Sequence, residues 1–218
     1  MTVKLLKCKE DNRANCYLII DEKTNKAAVI DPGSYESDLG GQIKSFGVDL
    51  TAILLTHGHF DHILGARALK EEFGCDIYIH ENDAECLEND SLSLNRYFNP
   101  GAIQYPVKAD VSIKDGDEVS FGETRLRVLH TPGHTPGGVC FINYSDRVIF
   151  SGDTIFCRTV GRTDFPYSSE QDLKNSVSRL LSLEGDFIIY PGHNISTTLD
   201  AEREKNIYIR RMKRNCSL

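Results

Sequence analysis

Four short apolar runs of this chain each end in a glycine-containing turn that carries histidine or aspartate. Apolar runs of this kind predict buried β-strands. Ligand and catalytic side chains gather on loops that follow strand ends, because the sheet holds such loops rigidly. The fold therefore has to bring four strand ends together at one site. The turns carry His57, His59, Asp61 and His62; then His134; then Asp153; and finally His193.

These residue types indicate a metal site, because zinc and iron(II) accept neutral imidazole and carboxylate readily. His57 and His59 cannot share a helix face, but a tight loop can direct both at one ion. Asp61 and His62 project differently, which suits a second ion nearby. We expect two ligand sets with open positions for a water, and a carboxylate left to bridge them. The sets are His57, His59 and His134; Asp61, His62 and His193; and Asp153 as the bridge.

Two other interpretations of these residues are weaker. The first turn alone could be a chance surface cluster with Gly58 as its turn residue. A closed structural zinc site is the second, but such sites usually have four ligands and are rich in cysteine. The seven cysteines of the chain are odd in number and include no C-x-x-C pair, which also argues against a secreted disulfide framework.

The size and charge of the chain limit its location and partners. At 218 residues we expect a single domain over residues 1–218. No run approaches the roughly 18 apolar residues that span a membrane, and the first residues lack a secretory signal, so a cytoplasmic location is expected. The net charge of −7 argues against nucleic-acid binding. We expect a small-molecule substrate and no membrane partner, and the oligomeric state is left open.

Strands and amphipathic helices alternate along the sequence, which predicts α/β layers. The predicted strands are 3–8, 16–20, 27–31, 52–56, 76–80, 118–121, 124–130, 138–143, 147–151 and 187–190. The predicted helices are 36–46, 63–73, 81–87, 170–183 and 199–213. The stretch 89–111 is irregular, and it is either a surface excursion near the site or a connection between two halves.

The order and spacing of the motifs resemble those of the metallo-β-lactamase fold superfamily. They are T-H-x-H-x-D-H, then a lone histidine in T-P-G-H-T, then G-D-T, then P-G-H. The resemblance covers nearly the whole chain, including Ile30-Asp-Pro-Gly33 near the start. It implies a four-layer αββα sandwich with a dinuclear site at one edge, between two sheets. It also implies two divalent metal ions as cofactors, zinc first, with iron or manganese as alternatives.

Asp153 separates the branches of this superfamily. Exported zinc lactamases tend to carry cysteine there, whereas glyoxalase II and its relatives carry aspartate. The stretch 161–166 (G-R-T-D-F-P) is similar to that of short bacterial hydroxyacylglutathione hydrolase-like proteins. The resemblance places Arg162 at a substrate-binding position, where it could hold a carboxylate bidentately. The alternative is an ion pair between Arg162 and a neighbouring acid such as Asp164.

We therefore expect a metal-dependent hydrolase that cleaves hydroxyacylglutathione-like thioesters through a metal-bridging hydroxide. Asp61 would be both ligand and catalytic residue, orienting the hydroxide. Asp31 either fixes an imidazole tautomer or is a plain turn residue. Glyoxalase II usually has a C-terminal helical domain that grips glutathione, and this chain ends about one helix after His193, so we expect a domain without it.

The alternative function is an iron-dependent persulfide dioxygenase on the same fold. Those proteins share the H-x-H-x-D-H motif and a similar G-R-T-D-F stretch, but they work with one iron. Their closing motif tends to be P-A-H-D, whereas this chain reads Pro191-Gly-His193-Asn194, which favours the hydrolase.

Overall fold

The computed structural model describes residues 1–8 and 14–215, with side chains through residue 212. Its strands are β1 (Thr2–Leu6), β2 (Cys16–Ile20), β3 (Lys26–Ile30), β4 (Asp49–Leu54), β5 (Asp76–His80), β6 (Val111–Ile113), β7 (Glu118–Phe121), β8 (Thr124–His130), β9 (Val139–Asn143), β10 (Val148–Gly152), β11 (Ile155–Phe156), β12 (Thr159–Val160), β13 (Ile188–Pro191) and β14 (Thr197–Thr198). Its helices are α1 (Leu39–Ser45), α2 (Phe60–Ile63), α3 (Ala66–Phe73), α4 (Asn95–Phe98), α5 (Glu170–Leu181), α6 (Leu199–Lys205) and α7 (Ile207–Asn215), with a 3₁₀ helix at Glu81–Leu87.

Two six-stranded sheets form the middle of the molecule. The first has the order β1-β2-β3-β4-β5-β6; β1, β2 and β3 are antiparallel, and β3 to β6 run parallel. The second has the order β14-β13-β10-β9-β8-β7, in which only β10 and β13 pair in parallel. Strands β11 and β12 form a separate small hairpin.

The alternation of side chains along the strands builds a four-layer αββα sandwich, the architecture that the resemblance to the metallo-β-lactamase fold implied. Successive strand side chains point to opposite faces of a sheet. In β2, Leu18 therefore packs into a core with helix residues such as Ile43, while its neighbour Ile19 packs into the core that Phe141 shares from the second sheet. A third core lies between the second sheet and α5. Because both faces of each sheet are covered by other layers, the loops lie at the edges of the sandwich.

Helix α5 begins where the sequence predicted, because Ser169 caps it by accepting from the Asp172 backbone N–H at 3.2 Å. The predicted helix 199–213 is instead two helices, broken at Asn206. The Asn206 side-chain oxygen accepts from the backbone N–H groups of Tyr208 and Ile209. Asn206 therefore caps the start of a new helix, α7.

The predicted helix 63–73 starts earlier and is interrupted near Gly65. The Gly65 backbone N–H donates to the Pro32 carbonyl at 2.7 Å, and a Cβ at Gly65 would lie 2.6 Å from that oxygen. The chain thus bends here because it has to approach the turn after β3 closely. This bend presents α2 to the site separately from α3.

The predicted irregular stretch 89–111 contains the short helix α4 and ends in β6. Within the described residues no helix is both long and apolar enough to cross a membrane. The described cysteines, Cys8, Cys16, Cys75, Cys86, Cys140 and Cys157, form no disulfide with one another. Cys216 lies outside the described residues.

Candidate metal centre

The four sequence turns meet at one edge of the sandwich. The first follows β4 and runs into α2, while the others follow β8, β10 and β13. Because β4 belongs to the first sheet and the other three strands to the second, the site lies between the sheets. The structure brings together all seven residues that the sequence singled out as metal ligands.

His57, His59 and His134 form the first predicted set, and all three side chains are buried. The His57 Nε2 and His59 Nδ1 atoms lie 3.1 Å apart. The ring centroids of His59 and His134 are 4.6 Å apart, with the planes nearly perpendicular. Three imidazole nitrogens therefore converge on one point.

Asp61, His62 and His193 form the second predicted set. The Asp61 Oδ2 atom lies 3.2 Å from His193 Nε2 and 3.9 Å from His62 Nε2. His62 is fully buried, whereas the His193 side chain retains 30% of its exposure. The second set therefore extends from the buried interior, at His62, to the protein surface, at His193.

Asp153 lies between the two sets, as expected for a bridge. Its Oδ1 is 3.4 Å from His62 Nε2, and its Oδ2 is 3.5 Å from His134 Nε2 and 3.6 Å from His193 Nε2. Donor atoms that surround one tetrahedral zinc at ordinary bond lengths are about 3.4 Å apart. The spacing of these atoms therefore suits coordination.

Three of these atoms have no hydrogen-bond partner although they are buried: His62 Nε2, His134 Nε2 and Asp153 Oδ1. Buried polar atoms without partners are costly and require an explanation. All three point into the space between the sets, so cations held there would satisfy them. The donor set, its spacing and these orphaned atoms fit two divalent metal ions.

His62 and His134, whose Nε2 atoms have no partner, each bond to the protein through the other ring nitrogen, Nδ1. His62 Nδ1 lies 2.9 Å from Asp31 Oδ2, and His134 Nδ1 lies 2.8 Å from the Arg162 carbonyl oxygen. Since both partners can only accept, each Nδ1 carries the proton and each Nε2 is free to coordinate. Asp31 also accepts from the Thr56 backbone N–H and hydroxyl, so the geometry favours the tautomer-fixing interpretation of Asp31.

The electrostatics of the centre keep two imidazoles neutral. Burial lowers the pKa of His57 and of His59 well below the usual value, and nearby imidazoles lower both further. Neutral imidazole is the form that coordinates a metal. Burial alone would raise the pKa of Asp61, but His62 and His193 reverse the effect and hold it far below its ordinary value. Asp61 is therefore a carboxylate at neutral pH.

His62 has the opposite shift. Burial would lower its pKa, but the carboxylates of Asp153, Asp31 and Asp61 outweigh burial and raise the pKa to about 10. The three carboxylates therefore favour a positive charge at this position. A divalent cation at the same place would supply that positive charge.

An open cavity of about 500 Å³ leads to the ligands. Five ligands form its base, and most of its remaining wall is apolar. The wall residues are Phe60, Leu94, Phe98, Phe156, Thr159, Val160, Arg162, Phe165 and Asn194. The ring centroid of Phe165 lies 5.4 Å from that of His59 and 5.9 Å from that of His134, so an aromatic ring covers the first set.

The irregular stretch 89–111 contributes Leu94 and Phe98 to this wall. That supports the interpretation of the stretch as an excursion near the site. The phenylalanines of the wall were not predicted from the sequence. The one sequence signal was the G-R-T-D-F-P stretch, in which Phe165 follows Arg162 by three residues.

Arg162 lines the cavity, but its charge is already paired. Its Nε and one terminal nitrogen each lie 2.6 Å from an oxygen of Asp164, and its guanidinium lies 4.2 Å from the Phe165 ring centroid. This ion pair is the alternative that the sequence offered for Arg162. A substrate-binding role for Arg162 stays a prediction.

The two remaining histidines are not part of the centre. His80 and His130 stack on each other with ring centroids 4.0 Å apart and planes inclined by 10°. His80 ends β5 and His130 ends β8, so the stack joins the two sheets.

Known proteins resemble this chain over most of its length. A family model for the metallo-beta-lactamase superfamily matches residues 10–193. The hydroxyacylglutathione hydrolase GloC of Haemophilus influenzae is 36% identical over 197 residues, covering 89% of this chain and 92% of that protein.

Solved structures extend the likeness to three dimensions. The BLEG-1 B3 metallo-beta-lactamase has a TM-score of 0.90 and 29% identity, covering 95% of this chain and 99% of that one. The protein TTHA1623, solved in a di-iron-bound form, has a TM-score of 0.83 and 33% identity, covering 95% and 100%. ETHE1 from Myxococcus xanthus has a TM-score of 0.79 and 30% identity, covering 96% and 84%.

Proposed function

The chain belongs to the metallo-beta-lactamase superfamily, and from this premise we propose that it is a thioesterase acting on hydroxyacylglutathione-like thioesters. The observation that carries the proposal is the pair of ligand sets that share Asp153 and face one open cavity. Aspartate rather than cysteine at this position is typical of the glyoxalase II branch. The likeness to GloC supports the same substrate class.

The ligand sets would hold two divalent ions, His57, His59 and His134 one of them, and Asp61, His62 and His193 the other, with Asp153 shared. When bound, such ions lower the pKa of a water molecule and polarise a carbonyl oxygen. Imidazole and carboxylate ligands suit zinc first, and iron or manganese as alternatives.

Asp61 is the residue that we assign to orient the nucleophile. Its side chain is 15% exposed and lines the cavity, so it can reach a water on the substrate side. The low pKa of Asp61 keeps both oxygens as acceptors, which lets the carboxylate direct a nucleophile's proton away from the scissile carbonyl.

The apolar wall would position the substrate and exclude bulk water from the reacting carbonyl. Phe98 and Phe165 lie on the side of the first set, with ring centroids 5.4 Å apart. Phe156 lies on the side of His193, with ring centroids 6.2 Å apart. A thioester whose carbonyl reached the ligands would contact an aromatic ring on either side. Arg162 would then bind a carboxylate only by giving up or sharing Asp164.

A second candidate is an iron-dependent persulfide dioxygenase. One observation favours it: His57, His62 and Asp153 also form a group with ligand spacing. Two imidazoles and a carboxylate are the ligands of many non-haem iron(II) oxygenases. A single iron in this group would leave the remaining ligands without a metal.

Metal analysis followed by two assays separates the candidates. The protein as purified is analysed for zinc, iron and manganese, then supplied with S-lactoylglutathione while free thiol is measured. Two ions per chain and thiol release support the hydrolase. One iron per chain, with oxygen uptake on glutathione persulfide and no thiol release, would overturn it in favour of the dioxygenase.

A further inference from the structure

Asp83 connects two of the ligand-bearing loops, although it lies far from them in sequence. It belongs to the 3₁₀ helix Glu81–Leu87, and its side chain is only 1% exposed. Its Oδ2 accepts from the Gly58 backbone N–H at 2.9 Å, and its Oδ1 accepts from the Gly137 backbone N–H at 2.6 Å. One buried carboxylate therefore spans both loops.

These two loops supply the whole of the first ligand set. Gly58 lies between His57 and His59, and Gly137 follows His134 by three residues. The first loop comes from the first sheet and the second from the opposite sheet. The two loops are also joined at their bases, where the Val139 backbone N–H donates to the Thr56 carbonyl oxygen at 2.8 Å, and Asp83 is a second link, to Gly58 and Gly137.

The two glycines leave room for this arrangement. A Cβ on Gly137 would lie 2.6 Å from the Asp83 carboxylate, and a Cβ on Gly58 would lie 2.5 Å from the Cβ of Cys86 in the same 3₁₀ helix. Both loops can lie against the helix only because neither position has a side chain. The contact is therefore built into the packing and is not an incidental surface bond.

The chemistry of the contact requires a carboxylate. Both partners are N–H donors, so both side-chain oxygens have to accept. An amide in place of the carboxylate would turn an NH₂ group towards one of these donors, leaving a buried N–H unpaired. Burial also raises the pKa of Asp83, which is the cost of keeping an acid in this position.

We propose that Asp83 is a positioning residue for the ligand set His57, His59 and His134. It holds the two loops at the separation at which three imidazole nitrogens converge. The second set has a different support, because Asp31 binds the His62 imidazole directly. The inference rests on the metal binding of the proposed function, but it does not depend on the thioester substrate.

The test is a zinc titration of EDTA-stripped Asp83→Asn, measured by equilibrium dialysis with metal analysis. We expect the parent to bind two Zn²⁺. The variant should keep one site at parental affinity and weaken the other by about tenfold to a hundredfold, the usual range for partners of metal ligands. Adding His193→Ala to Asp83→Asn should weaken the remaining site as well, which identifies the site that Asp83 supports.

Asp21→Asn is the matched control. Asp21 is also a buried carboxylate that accepts from backbone N–H groups, those of Lys23, Thr24 and Glu123. It follows β2, at the end of the sandwich opposite the ligands. This variant should lose stability to urea and still bind two Zn²⁺ at parental affinity, so a purely structural role would not reproduce the result for Asp83.

Gly137→Ala serves if Asp83→Asn does not fold, because its methyl group displaces the same carboxylate. Parental binding of two Zn²⁺ by the Asp83 variant, or by Gly137→Ala in its place, would overturn the inference. So would equal weakening of both sites. A parent that binds no Zn²⁺, iron or manganese would instead contradict the proposed function.

Discussion

Asp31 and His62 are joined by a contact of 2.9 Å between Oδ2 and Nδ1, and both side chains are almost completely buried. The same carboxylate receives the Thr56 backbone N–H at 2.8 Å. Asp31 thus orients one imidazole and anchors the start of the loop that carries four of the candidate ligands. Its backbone has a positive φ of 51°, which is uncommon for a residue with a side chain.

Asp31→Ala should weaken zinc binding at the set that contains His62 by about tenfold to a hundredfold, because the imidazole loses the partner that fixes its tautomer. Equilibrium dialysis of the EDTA-stripped variant measures the effect. Asp38→Ala removes a carboxylate that caps α1 through Gly41 and should bind zinc like the parent. Parental zinc affinity in Asp31→Ala would contradict the assigned role.

Asp61→Asn should reduce kcat for S-lactoylglutathione by about a hundredfold or more, because an amide cannot orient the nucleophile as the carboxylate does. The assay needs zinc at saturation, with the metal content measured on the same sample. A variant that held two ions and retained near-parental kcat would show that Asp61 has no catalytic part.

Asp164→Asn should lower the KM for S-lactoylglutathione by about two- to fivefold, the range for one exposed charge interaction. The variant removes the carboxylate that pairs with Arg162, so the guanidinium becomes available for a substrate carboxylate. Arg162→Gln should raise the same KM, and a lactoyl thioester of an uncharged thiol serves as the control. If neither variant changes KM, Arg162 does not bind the substrate.

The protein should lose stability in acid, in part because Asp21 becomes protonated there. Burial would raise its pKa, but hydrogen bonds from Thr24, Thr124 and Glu123 outweigh burial and hold it far below the ordinary value. A depressed pKa contributes stability above the unfolded value of about 3.9, and this contribution is lost as the pH falls below it. The free energy of unfolding of the parent should therefore fall more steeply below about pH 4 than that of Asp21→Asn.

Urea unfolding of metal-free protein between about pH 2 and pH 6 measures this difference. Asp49→Asn removes an exposed carboxylate from the start of β4, and it controls for the loss of one negative charge. Parallel curves for the parent and Asp21→Asn would contradict the prediction.

The sequence predicted the bounds of β2, β5, β7 and β8 as the structure has them. Strand β8 has the predicted bounds, because buried Leu126 and Val128 alternate with exposed Arg125 and Arg127. The break at Asn206 was missed, because a side chain that bonds to the following backbone looks the same in sequence as one that faces solvent. The segment 81–87 has the predicted bounds but is a 3₁₀ helix, a distinction that hydrophobic period does not make.

The candidate ligands were predictable because metal binding restricts side-chain chemistry, and few residue types satisfy it. Asp83 was not predictable, since its partners are backbone N–H groups that almost every residue has. For Arg162 both interpretations were visible in the sequence, and only the geometry shows that its guanidinium is bonded to Asp164.

Each ligand set has two residues from the segment that follows β4 in the first sheet and one residue from a loop of the second sheet. Ions bound there would act as cross-links between the two halves of the sandwich. Metal affinity would then depend on how well the sheets dock, as well as on the ligands themselves. A substitution deep between the sheets, at a residue such as Phe141, could change the affinity for both ions without touching any ligand.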